Sequence, residues 1–255
     1  MSERASTKGR ERPILFSAPM VRALLAGTKT QTRRLIPSAT LDAYYEYDDW
    51  CRSVSAGVPT SRQWEADYFL ERSRIQIGDI LWVREAWACH WSTDDQKPSE
   101  IEPGLWSVRY FADDHIRPAQ ADGSVARLDQ IQRKRPSMFM PRWASRLTLT
   151  VDDVRVRRLQ EISEADARAE GAYVGKASGR VADNQIAMNL GLWHFTCRDW
   201  YEDLWDRING AGSWEANPWV AAYTFTVERR NIDEGLGQRA DAAPKNPLSE
   251  GRERS

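Results

Sequence analysis

Hydrophobic and polar positions along the chain alternate in two distinct rhythms. Residues 13–17 (PILFS) form a short apolar run that predicts a strand. Pro19 then opens MVRALLAGTK, where Met20, Ala23, Leu24 and Ala26 recur at helical spacing and Gly27 supplies the stop. Thr30–Ile36 reads as a strand closed by Pro37. After the turn signal Gly78-Asp79, residues 80–88 alternate, with Leu81, Val83 and Glu85 set against Trp82, Arg84 and Ala86. Residues 105–111 alternate as well. Residues 144–159 carry the longest period-2 pattern. Leu147, Leu149 and Val151 share a face, Asp152-Asp153 predicts a bend, and Val154 and Val156 continue beyond it. Ser163 with Asp166 three residues on is an approximate capping box for a helix to Gly171. Residues 194–208 are amphipathic at helical spacing, with Phe195, Trp200, Leu204 and Ile208 near one face, and residues 219–229 predict a final strand. This order is not a repeating strand–helix–strand pattern, so a doubly wound parallel sheet is not expected.

The segments outside these elements set the domain boundaries. Residues 1–11 and 231–255 hold few apolar side chains and read as flexible tails around one domain at 12–230. Residues 38–75 are polar and aromatic, with Tyr44, Tyr45, Tyr47, Trp50, Trp64 and Tyr68. They read as an insertion packed over the surface, a lid being one use for it. Composition narrows the class further. Thirty-six Lys and Arg against 37 Asp and Glu give a net charge of −1, which excludes a polycation held on nucleic acid by charge alone. No apolar run approaches a membrane span, the first residues lack the apolar core of a signal peptide, and three cysteines imply no disulfide framework. A cytoplasmic protein is the expectation.

Several segments can carry chemistry. Gly27-Thr28-Lys29-Thr30-Gln31-Thr32-Arg33-Arg34 lies at a helix-to-strand junction and sets Lys29 near Thr32, the minimum for a hydroxyl–amine nucleophile pair. The same residues also suit a solvated strand edge. Arg84 and Glu85 are adjacent on a strand, so one faces inward and needs a partner, either an internal ion pair or a ligand. Glu170 sits at the C-terminal end of its helix, against the helix dipole. Arg133–Arg135, Arg142 and Arg146 form an acid-free basic run interleaved with aromatics, which suits either nucleic acid or solvent. His194 and Cys197 are i, i+3, but no paired-ligand spacing supports zinc, so neither a metal nor a cofactor is expected.

Taken in order, FSAPMVRALLAGTKTQTRRLI, GDILWVREAW, MPRWASRLTLTVDDVRVRRLQEISEADARAEGA and LWDRINGAGSWEANPWVAAYTF resemble the ASCH-domain proteins of the PUA-like superfamily over about residues 12–230. The resemblance implies an α+β fold, a PUA-like mixed β-barrel with flanking helices and a cleft for a nucleoside, a nucleotide or an RNA base. Some small members are amidohydrolases that deacetylate N4-acetylcytidine, with a Lys and a Thr in a G-x-K-T-x-T segment and a Glu in an A-x-x-E segment. Those patterns fall here on Lys29, Thr32 and Glu170, which the resemblance makes catalytic. This chain is more than twice the length of those enzymes. Arg34, Arg84, Glu85, Trp87 and Trp219 are the expected substrate contacts, Trp82 being a further stacking candidate. The expected reaction is removal of the acyl group from N4-acylated cytosine nucleosides, groups larger than acetyl included if residues 38–75 border the cleft. The alternatives are a noncatalytic RNA- or modified-base-binding module and a ribonuclease.

Overall fold

The computed structural model describes residues 9–54, 62–120, 122–131, 133–172 and 196–235. His194, Phe195 and most of both expected tails lie outside them. A five-stranded sheet forms the centre. It comprises β1 (Glu11–Leu15), β2 (Gln31–Leu35), β3 (Ile80–Arg84), β7 (Thr148–Arg158) and β8 (Trp219–Glu228), in the order β1-β3-β7-β8-β2. Only β1 and β3 pair in parallel; the other neighbours are antiparallel. A smaller sheet joins β4 (Trp87–Ala88), β5 (Val108–Tyr110) and β6 (Ile116–Arg117).

The expected alternation along β7 holds. Leu147, Leu149, Val151, Val154 and Val156 all enter the main core, and a register shift between Val151 and Asp153 absorbs the Asp pair. Leu81 and Val83 enter the same core from β3. The run 80–88 does not continue as one strand. It breaks after Arg84, and Glu85 turns inward to Arg146 before β4 begins in the second sheet.

Helix α1 (Ala18–Leu25) buries Val21 and Leu24 on the main core, and Gly27 stops it at φ +72°, a conformation that disfavours other residues. The aromatic segment forms α2 (Ser38–Val54) and α3 (Arg62–Glu71). Tyr44 and Phe69 are enclosed in the main core, with the Phe69 ring 5.6 Å from that of Trp219. This part of the insertion is therefore structural packing. Helices α4 (Glu164–Ala169) and α5 (Cys197–Asn209) form a second cluster with Leu159, Ile162 and Val220. Val220 is offset by one residue from the main-core residues Trp219 and Ala221, so this cluster packs on the opposite face of the sheet.

The fold is α+β, as expected. Among the described residues no strand pairing closes the sheet, because the edge strands β1 and β2 are not paired with each other. Arg34 spans that seam with a side chain, donating from Nη2 to the Leu15 carbonyl at 2.8 Å. The domain boundaries also move outward. Glu11 already pairs with Ile80, and Asn231 and Ile232 are buried. Asn231 Nδ2 reaches the carbonyls of Arg142, Trp143 and Ser145, and Ile232 joins Ile80 and Trp82.

Candidate active site

A short backbone pairing assembles the centre of the site. Lys29 and Glu170 form an isolated antiparallel bridge, and the Thr30 amide donates to the Ala169 carbonyl at 2.8 Å. The chain can pass this point because Gly171 turns at φ +98°, where an added Cβ would lie 3.2 Å from Ala23 Cβ. Ser163 caps α4 by accepting from the Asp166 amide at 3.1 Å, so half of the expected capping box is present. The Asp166 carboxylate turns instead to Gln31, Arg33 and Arg155.

Lys29 is fully enclosed. Its Nζ donates to Glu170 Oε2 at 2.7 Å and to the Glu170 carbonyl at 2.9 Å. Arg33 Nη1 donates to the other carboxylate oxygen at 3.2 Å. Two cations thus hold a carboxylate that stands at the negative end of a helix, where the dipole alone opposes it. Burial drives the Lys29 amine below its ordinary range; Glu170 opposes that shift, and Arg34 and Arg33 add to it. Burial, with the Glu170 charge beside it, drives the Tyr201 phenol well above its ordinary range.

A cavity of about 300 Å³ borders this network, and Thr32, Arg33, Arg34 and Glu170 all line it. β2 is an edge strand, so residues on both of its faces reach the opening. Helix α5 supplies the facing wall with Tyr201, Leu204, Trp205 and Ile208. Lys29 stands behind Glu170 and is not part of the lining. The structure therefore brings together Lys29, Glu170, Thr32 and Arg34 of the expected set.

The remaining expected contacts lie elsewhere. Arg84 Nη1 donates to the Met138 carbonyl, and its guanidinium lies 4.5 Å from the Trp82 ring. Glu85 makes a bidentate pair with Arg146 at 2.8 and 3.0 Å, the internal ion pair among the two readings of that motif. Burial pushes the Glu85 carboxyl up, and Arg146 pushes it back. Trp87 is enclosed with Val108, Tyr110 and Met140, and Trp219 belongs to the main core. Neither ring borders this cavity, so the large aromatics expected to stack on a base fill cores instead. Residues 38–75 contribute nothing to the cavity lining either; the wall facing β2 comes from α5.

Three of the five cations of the basic run are spent on internal partners, while Arg133 and Lys134 stay exposed. Arg135 donates to the Thr93 carbonyl at 2.5 Å, Arg142 pairs with Glu11 and Asp233, and Arg146 holds Glu85 and Asp113. Tyr201 is the site residue that sequence reasoning missed. Its signal was a hydroxyl-bearing ring at helical spacing from Cys197 and Trp205, on the buried face of α5. Among the described residues, no group of three His, Cys, Asp or Glu side chains is placed to hold a metal, and no helix is long and apolar enough to cross a membrane. Compared with protein-family models, with curated proteins and with solved structures, the chain matches none.

Proposed function

We propose that this protein is an amidohydrolase that removes the acyl group from N4-acylated cytosine nucleosides at the Thr32–Glu170–Lys29 site. The observation that carries the reading is the joint placement of Thr32 and Glu170 on one cavity, with Lys29 bonded to that carboxylate at 2.7 Å. A hydroxyl nucleophile, a proton acceptor and a group that holds the acceptor are the parts acyl transfer needs. The resemblance to the ASCH proteins supports the same three residues, and with it we propose that the sheet is a PUA-like barrel left open at the β1–β2 seam.

In this mechanism the Thr32 hydroxyl attacks the acyl carbon and its proton passes to the Glu170 carboxylate. Lys29, charged and fixed behind Glu170, holds that carboxylate in orientation. Collapse of the tetrahedral intermediate breaks the C–N4 bond, and Glu170 returns the proton to the departing cytosine amine. Water then attacks the Thr32 ester, again giving its proton to Glu170, and the carboxylic acid leaves as Thr32 recovers its hydrogen. We prefer Glu170 to Lys29 as the proton acceptor because Glu170 borders the cavity and Lys29 is enclosed.

The test is incubation of the purified protein with N4-acetylcytidine, following cytidine by chromatography. Thr32→Ala and Glu170→Gln should each lower kcat/KM by at least about 100-fold, in keeping with the loss of a nucleophile or an acid–base group, and Thr32→Ser should retain activity. If the wild-type protein releases no cytidine, the proposal fails. A binding shift with structured RNA, or its cleavage, would then direct attention to the two alternative readings.

A further inference from the structure

A second and larger cavity, about 470 Å³, opens at the seam between β1 and β2. Arg12, Arg34, Arg72 and Arg74 line it, and no Asp or Glu does. In a chain with a net charge of −1, four guanidiniums around one opening is a local concentration of a single sign. Their partners leave capacity unused. Arg34 gives one donor to the Leu15 carbonyl. Arg12 turns its Nε toward the Asp79 carboxylate at 3.5 Å. Arg72 spreads its guanidinium 3.7 Å from the Tyr68 ring, donates to the Tyr68 carbonyl at 3.3 Å and lies 3.7 Å from the exposed Glu71 carboxylate, and Arg74 makes no ion pair among the described residues. Ser73 and Tyr223, hydroxyl to hydroxyl at 3.1 Å, add two polar groups to the same wall.

This cavity is joined to the candidate active site through β2. Arg34 lines both cavities. Thr32 and Arg34 are two residues apart on one face of the strand, roughly 7 Å along it. Tyr223, which borders the arginine-lined cavity, stands directly across the ladder from Thr32. A ligand reacting at Thr32 therefore has a positively charged chamber within a small molecule's reach.

We propose that the chamber binds the phosphoryl group of a pyrimidine nucleotide, so that the site takes the 5′-phosphorylated form of its nucleoside substrate in preference to the bare one. Guanidiniums present paired donors that match phosphate oxygens, and a cavity free of carboxylates adds no repulsion. The link between this group and the reaction rests on the amidohydrolase reading; the anion site itself does not. The phosphoryl group can belong to a free mononucleotide or to the 5′ end of an RNA.

Calorimetric titration of the full chain with cytidine and with cytidine 5′-monophosphate tests the site without any turnover. The monophosphate should bind at least about tenfold tighter, a factor that Arg72→Gln with Arg74→Gln removes while cytidine affinity stays unchanged. Both side chains are exposed, so the fold should tolerate their loss; Arg74→Glu, checked for an unaltered melting temperature, is the second variant. Short RNAs with a 5′-phosphate or a 5′-hydroxyl separate the two sources of the group. Equal affinity for cytidine and its monophosphate overturns the proposal even if N4-acetylcytidine is hydrolysed. So does a preference for the monophosphate that survives all of these substitutions. A preference that the variants abolish, in a protein that hydrolyses nothing, keeps the anion site and sinks the amidohydrolase reading alone.

Discussion

Lys29 and Glu170 show how a single residue's setting fixes its chemistry. Lys29 has no exposed surface, and burial lowers its pKa from the ordinary value of 10.5. In the mechanism proposed, the ammonium form of Lys29 holds the Glu170 carboxylate in place. The active form is then lost as pH rises through the lowered Lys29 pKa, so kcat/KM should fall on an alkaline limb below the usual lysine range. Lys29→Arg, if it folds, should move that limb upward. A rate that instead rises through this region would mean that neutral Lys29 is the base. Much of this was legible from sequence, because Gly27, Lys29 and Thr32 lie within six positions and Glu170 stands against its helix dipole. Tyr201 was not, because a tyrosine on the buried face of α5 looks like any other core aromatic. Trp87 and Trp219 were misleading for the same reason: a large ring suits either stacking or packing, and composition does not say which.

At the scale of elements, residues written in a clear period came through and the aromatic segment did not. The strand β7, with its irregularity at Asp152-Asp153, follows from alternation that survives a one-residue slip. Helices α2 and α3 were hidden because Tyr and Trp favour strands as much as helices and because the segment has no clean apolar stripe. Tyr44 is enclosed while Tyr45, Tyr47 and Trp50 are exposed. Glu85 interrupts what reads as one strand at 80–88, since a buried carboxylate must turn to meet its arginine. The helical pair is anchored by Phe69, which packs on Trp219. Phe69→Ala should therefore destabilise the protein by about 3–5 kcal/mol in urea unfolding, the range for a large buried ring. Phe69 lines the arginine chamber but not the catalytic cavity. Activity on N4-acetylcytidine should accordingly persist at low temperature, and its loss in a still-folded variant would tie the helices to the reaction.

Seen whole, the molecule sets its polar machinery between two cores. The main core fills one face of the large sheet, the cluster under α4 and α5 fills the other, and β2 runs along the open edge between them. The last described residues complete the body, contrary to the expectation of a tail from 231 onward. A chain ending at Arg230 should melt several degrees lower than one ending at Gly235, because it loses the Asn231 bonds to three carbonyls and the Ile232 contact with Ile80 and Trp82. Equal melting temperatures in a thermal scan would show that this segment only rests on the surface. Composition could not reveal it, since one asparagine and one isoleucine among charged residues carry no periodic pattern.

The enclosure of Lys29 also makes it a clock. The chain has six lysines, and an amine-directed reagent can acylate this one only while the bridge to Glu170 is open. Mass spectrometry of the labelled peptide would follow its rate. When closing outpaces labelling, that rate measures the free energy of local opening at the site.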